Sequence, residues 1–281
     1  MLRLVDVKKS FGRIQAVDGL SLDIGRGEVF GLLGPNGAGK TTALSMVMGL
    51  LAPDSGSIEI EGKGSTRNPA VRRVIGVAPQ TLALYDDLTA EENLVFFASL
   101  YGIGRGDGRK RASELLTLVG LADRAKDRVK GFSGGMKRRL NLGAALVGDP
   151  EILLLDEPTA GVDPQSRQNI VDAVLALRER GRTIVYTTHF MEEAQRVCDR
   201  VGIMDKGRLL ALGTMDDLIR SHGGMTTVVV ETPAGVRTLQ TSDPVAEVSR
   251  ATGAGDVLNV RVERPNLESV FFALTGRSLR D

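Results

Sequence analysis

Residues 34–41 read Gly34-Pro35-Asn36-Gly37-Ala38-Gly39-Lys40-Thr41, followed by Thr42, and match the spacing G-x-x-x-x-G-K-[ST]. Glycines at that spacing let consecutive amides turn inward as an anion nest, because no Cβ stands in the way. A helix starting near Thr41 points its positive end at the same place. Lys40 adds a point charge for the β- and γ-phosphates, and Thr41 offers a hydroxyl to Mg2+. The chemistry implied is capture of a nucleoside triphosphate, with Thr42 counted among its contacts. The bland reading is a glycine turn between a strand and a helix. Against it stand the buried apolar run at 29–33 and the helical pattern at 41–51, with Leu44, Val47, Met48 and Leu51 on one face.

Two carboxylates, Asp156 and Glu157, follow the apolar run Ile152-Leu153-Leu154-Leu155 directly. The C-terminal end of a parallel strand is where α/β sheets bind ligands. Adjacent strand residues point to opposite faces, but a strand end can relax that rule. The reading assigns Asp156 to a metal ion and Glu157 to the general base that polarises a water. The alternative is that both cap the turn at Pro158-Thr159. A third feature is Phe132-Ser133-Gly134-Gly135-Met136 at the start of a long helical pattern. Ser133 is a good N-cap and the glycines bare the amides, which makes a second anion site, or alone an ordinary capped helix. One triphosphate cradle and two anion sites suggest sites shared between subunits.

The elements that must hold these residues alternate in type. Strands are expected at 2–7, 14–17, 20–24 and 29–33, an edge strand at 57–60, and further strands at 74–78, 152–155 and 183–186. A helical insert occupies about 85–148. It opens on the capping box Thr89-Ala90-Glu91-Glu92 and holds helices at 109–119 and 136–147. A helix is expected at 165–180, closed by Gly181, and a hairpin at 201–211 around Lys206-Gly207. Ser221-His222-Gly223-Gly224 reads as a linker to a small ββαβα domain, with Phe271 and Phe272 in its core. The expected domains are 1–215 and an accessory domain at 225–281.

Composition sets the outer bounds. The 281 residues hold 36 Lys plus Arg against 35 Asp plus Glu, a net charge of +1, which gives no sign of a basic nucleic-acid binder. Cys198 is the single cysteine, so a disulfide framework and a cysteine-only metal site are excluded, and a reducing compartment fits best. No apolar segment follows Met1, so no secretory leader is expected, and no run reaches the ~20 apolar residues of a spanning helix.

Taken in order, these motifs resemble the nucleotide-binding subunit of an ATP-binding-cassette transporter. The elements are Phe11, GPNGAGKT at 34–41, Gln80, FSGGM at 132–136, ILLLDEP at 152–158 and His189, with Asp163 in the loop after the carboxylates. The resemblance covers about residues 1–215. It implies an α/β P-loop NTPase fold of cassette type, with an antiparallel β subdomain, an α-helical subdomain and here a small C-terminal α+β domain. It implies that Phe11 stacks on adenine with Val17 against the sugar. It also implies that Gln80 touches Mg2+ and the attacking water, and that His189 contacts the γ-phosphate. Ser133, Gly134 and Gly135 would grip the nucleotide bound to the opposite subunit. ATP and Mg2+ are the implied ligands. The implied partners are an integral membrane permease on a separate chain and a second ATPase subunit, on the cytoplasmic face of the cell membrane and without nucleic acid. Phe132 and Met136 stand where the family usually has leucine and glutamine, and Phe11 where tyrosine is common. FSGGMKRRLNL, THFMEEAQRVCDRV and LESVFFALTGRSLRD are similar to the drug-resistance type of exporter. A soluble cassette ATPase uncoupled from transport is the alternative, and a module without turnover is a third, which Glu157 and His189 argue against.

Overall fold

In the structure, a computed structural model that describes residues 2–253, 255 and 257–277, the chain opens on two long antiparallel strands, β1 (Leu2–Phe11) and β2 (Ile14–Ile24). The runs at 14–17 and 20–24 are therefore one strand. Register shifts along β1, between Leu4 and Val7 and again on to Ser10, absorb the polar break between them. β3 (Val29–Leu33) is buried at every position and leads into α1 (Lys40–Val47). That helix stops before the apolar pattern does. Gly49 takes φ +67°, its amide donates to Met46 O and the Leu50 amide to Ser45 O, which is the Schellman arrangement. β4 (Ser55–Ile60), β5 (Gly64–Ser65) and α2 (Pro69–Arg72) follow. The antiparallel sheet runs β2-β1-β4-β5, so β4 is flanked by the two-residue β5 instead of forming the edge along its whole length.

β6 (Ile75–Ala78) leads to the helical layer: α3 (Ala90–Leu100), α4 (Arg105–Leu118), two 3₁₀ turns at Ala122–Arg124 and Val129–Gly131, and α5 (Gly134–Leu146). Both halves of the capping box at α3 form: Glu92 N–H donates to Thr89 Oγ1 at 3.1 Å, and Thr89 N–H to Glu92 Oε2 at 2.8 Å. The chain then alternates through β7 (Ile152–Asp156), α6 (Pro164–Glu179), β8 (Thr183–Thr188), α7 (Met191–Val197), β9 (Arg200–Asp205) and β10 (Arg208–Gly213). The central sheet runs β10-β9-β3-β8-β7-β6, and β9, β3, β8, β7 and β6 pair in parallel. Leu2, Leu20, Phe30, Leu32, Leu44, Met46, Ile58 and Met204 belong to one core cluster between the two sheets and α1. The parallel strands bring the loops after β3, β7 and β8 to one edge, where the chemistry lies. Cys198 is buried and free, and burial pushes its thiol well above the usual range, as befits a small core residue.

The chain divides into two compact units, Met1–Ala211 and Leu212–Asp281. The second holds α8 (Met215–His222), β11 (Thr226–Thr232), β12 (Gly235–Thr241), α9 (Pro244–Gly253), β13 (Asn259–Glu263) and α10 (Leu267–Thr275), with sheet order β12-β11-β13. Ser221 and His222 are thus helical rather than linker. Thr214 caps α8 by accepting from Asp217 N–H, a cap-and-acid signal the sequence carries at 214–217. Of the two aromatic residues expected in this core, Phe271 is buried and Phe272 is 58% exposed. Residues 278–281, the end of the exporter-like stretch, lie outside the described residues. No helix among the described residues is long and apolar enough to cross a membrane.

The seat of β6 generates a stability test. A Cβ on Gly76 would stand 2.2 Å from Ala145 O of α5 and 2.6 Å from Pro150 Cγ. Gly76→Ala is expected to destabilise the first unit by ~1–3 kcal/mol through overpacking. A urea titration followed by circular dichroism measures it, and an unchanged midpoint would contradict the packing described.

Candidate active site

A cleft of about 810 Å3 lies over the ends of β3, β7 and β8. It is lined by Phe11, Asn36, Gly37, Ala38, Gly39, Lys40, Thr41, Thr42, Gln80, Glu157 and His189, together with Ile14, Gln15, Ala16, Ala160 and Lys206. The glycine loop reaches this place because Gly39 takes φ +104° and lies against the backbone of β2. A Cβ there would come within 2.3 Å of Ala16 O. Gly39 is also the N-cap of α1, so the helix presents its bare amides to the cleft. Phe11, 51% exposed at the tip of β1, offers a ring face at the rim, with Lys9 Nζ 5.7 Å from its centroid.

Lys40 is 4% exposed, and its Nζ donates to Gly34 O at 2.7 Å and Pro35 O at 3.1 Å. The same ammonium stands 3.1 Å from Glu157 Oε1. Two carbonyls and a carboxylate satisfy its three donors, which is what a buried lysine requires. Glu157 has φ +45°. A residue in the left-handed region breaks the two-residue alternation of a strand, and Glu157 lines the cleft while Asp156 lies buried behind Thr41. Strain of ~1–2 kcal/mol accompanies a left-handed non-glycine residue. It is offset by hydrogen bonds on both sides of the residue: Glu157 N–H donates to Thr187 Oγ1 at 2.9 Å, and Ala160 N–H donates to Glu157 O at 3.1 Å. His189 Nδ1 lies 3.3 Å from Glu157 Oε2, near enough for an ion pair if the ring is protonated, but it is buried and makes no aligned hydrogen bond.

Asp156 is buried, and its Oδ1 accepts from Thr187 Oγ1 at 2.7 Å and from Thr41 Oγ1 at 3.3 Å. A hydroxyl and a carboxylate oxygen, with the Gln80 side chain on the same cleft, form a hard oxygen set that suits Mg2+. Thr187 was not among the residues the sequence reading selected. Its signal was a polar run, Tyr186-Thr187-Thr188, at the end of a strand that is buried throughout and ends just before His189. One Thr187 hydroxyl donates to the Asp156 carboxylate and accepts from the Glu157 amide.

One contact expected within the chain's own cleft is placed elsewhere. Val17 is fully buried in the core, and its neighbours Ile14, Gln15 and Ala16 line the cleft instead. The start of β2 is exposed or half-buried through Ala16, and Val17 is the first of its residues to enter the core. Ser133, Gly134 and Gly135 do not line the cleft. Ser133 caps α5, its Oγ accepting from Met136 N–H at 3.2 Å, and Ser133 and Gly134 are exposed.

The family model described as ABC transporter matches residues 17–160. The chain is 43% identical to the linearmycin resistance ATP-binding protein of Bacillus subtilis (strain 168), over a 312-residue alignment covering 100% of each. It is 42% identical to the Nod factor export ATP-binding protein I of Paraburkholderia xenovorans (strain LB400), covering 98% of this chain and 97% of that protein. The chain belongs to the ABC transporter family. It is an ATP-hydrolysing subunit that drives transport, and an ATPase detached from transport is not favoured. Among solved structures, the ATP-binding subunit of an ABC transporter matches with TM-score 0.71 at 32% identity, over 79% of this chain and 93% of that one. A dimeric ATP-binding cassette in a post-hydrolysis state with ADP and Pi matches with TM-score 0.70 at 28% identity, over 76% of this chain and 98% of that one. The ABC ATPase fold read from the motifs is therefore the observed one. ATPase subunits of this family dimerise and pair with membrane permeases.

The Thr187 hydroxyl generates a prediction for this ABC ATPase. Thr187→Val keeps the shape and removes both hydrogen bonds. Turnover is expected to fall about tenfold, from one or two lost buried hydrogen bonds, while ATP affinity changes little. Steady-state phosphate release and nucleotide titration check it, and wild-type turnover would show that Thr187 does not set the carboxylates.

Proposed function

We propose that the chain powers export of a drug, antibiotic or lipid-like compound through a separate integral membrane permease, peripheral to the cytoplasmic face of the cell membrane. The names of the relatives matched end to end, linearmycin resistance and Nod factor export, support the direction and the chemical class. The reaction is ATP + H2O → ADP + phosphate. The observation that carries the site assignment is the left-handed turn at Glu157, which brings Lys40, Glu157 and His189 around one cleft. In this reading Phe11 stacks on adenine, and the 34–42 loop holds the phosphates with its amides. Glu157 takes the proton of the attacking water, with Lys40 and His189 at the γ-phosphate. Thr41 and Asp156, with Gln80, would hold Mg2+, which when bound neutralises phosphate charge and keeps the reacting groups in line.

The site is completed by a second copy. Ser133 and Gly134 are exposed at a helix start away from their own cleft, Gly135 is buried behind them, and α5 has no acidic residue in its first turn. That N-terminus suits the γ-phosphate of a nucleotide held by the facing subunit. ATP then joins two subunits head to tail, and hydrolysis releases them. In this reading the permease docks on the helical layer. There Tyr85 and Phe96, 49% and 36% exposed, stack edge to face at 4.8 Å, with Leu100 and Tyr101 also exposed.

Glu157→Gln is expected to keep ATP binding, lower turnover by about a hundredfold or more, and accumulate a dimer with ATP on size-exclusion chromatography. Hydrolysis at the wild-type rate would remove Glu157 from the role of base. Ser133→Arg should leave nucleotide affinity of the monomer intact and block hydrolysis. Full activity in a dilute monomer of that variant would contradict the shared site.

A further inference from the structure

The ladder of β6 with β7 ends at the pair Ala78↔Leu155. Side chains of α5 take the next two carbonyls of the chain. Asn141 Nδ2 donates to Pro79 O at 3.2 Å, and Arg138 Nη1 donates to Gln80 O. Arg138 and Asn141 are three residues apart, so they share one helix face. Asn141 is 4% exposed and Arg138 is half-buried, which confines both to this arrangement. Burial depresses the Arg138 guanidinium from its ordinary range, and the charges of Glu157 and Asp156 act in the opposite direction. The guanidinium therefore lies within the field of both cleft carboxylates while it holds the Gln80 backbone. Ser133 begins the same helix, roughly 7 Å along the axis from Arg138 at the usual rise.

We propose that Arg138 and Asn141 are positioning residues that clip the Pro79–Gln80 backbone to α5, so that Gln80 in a subunit's own cleft moves with the Ser133–Gly135 helix start that grips the other subunit's nucleotide. The clip couples the two ATP sites within each chain: engagement of one helix start is transmitted by a rigid helix to the loop that faces the other γ-phosphate. This rests on the shared-site reading above. Among the described hydrogen bonds, the side-chain contacts to these two carbonyls both come from α5. A displacement of that helix either carries the loop along or breaks a charge-assisted bond.

The test uses the full chain in a Glu157→Gln background, with amide hydrogen exchange followed with and without ATP. With Arg138 intact, ATP is expected to slow exchange at both 133–137 and 81–85. With Arg138→Gln, protection at 133–137 is expected to persist while that at 81–85 falls about tenfold; Arg138→Lys, which keeps a long donor, retains both. In the Glu157-intact chain, Arg138→Gln should lower kcat and leave KM for ATP little changed. Equal protection of both segments in Arg138→Gln, or loss from both together, overturns the clip. Absence of ATP-dependent protection at 133–137 while Arg138 is intact instead defeats the shared site, so the two failures are read in different proteins.

Discussion

At the end of β7 one residue reverses the alternation of side chains. Glu157 enters the left-handed region and lines the cleft, while Asp156 before it stays buried and meets the cleft through its hydrogen bond from Thr41. The remaining parts of the site are arranged around that reversal. Thr187 on the neighbouring strand bonds both sides of it, Lys40 neutralises the displaced carboxylate, and His189 closes the far side. The Lys40–Glu157 pair is deeply buried, so removing one partner leaves a charge out of water at a penalty of ~3–5 kcal/mol. The pair therefore links the glycine loop after β3 to the end of β7.

The parallel order of the central sheet makes this possible. β3, β8 and β7 are neighbours in the sheet and far apart in the chain, so three loops meet at one edge while their strands stay buried. Next to that edge, the buried carboxylate of Glu193 accepts hydroxyl hydrogen bonds from Thr159, Tyr186 and Thr188 at 2.7, 2.8 and 3.2 Å. It joins the segment after Asp156 and Glu157 to the strand before His189. A buried carboxylate with several donors on one oxygen holds those two segments in a fixed relation.

The helical layer answers to different constraints. α3 is set by its capping box, and α5 both begins the proposed partner-facing site and takes the Pro79 and Gln80 carbonyls. Its exposed aromatic residues and its exposed helix start are surfaces a monomer does not need. They fit a subunit that works between a second ATPase chain and a permease.

What was legible in the residues was local. The glycine spacing at 34–41, the capping box at Thr89, the cap at Ser133 and the apolar run before Asp156 each encode a conformation within a few residues, and the motifs among them carried the family and the candidate site residues. The sequence carries further local signals of the same kind, in Gly49 ending α1 and Thr214 capping α8. Other features have no local signature. Thr187 reaches Asp156 and Glu157 only because β8 pairs with β7, Arg138 reaches the Gln80 carbonyl only because α5 lies against the loop after β6, and Val17 is withdrawn from the cleft because β2 turns that face to the core. These depend on which strands become neighbours and which faces they bury. The many-residue packing of two sheets and a helical layer decides that, and no short stretch of sequence holds it.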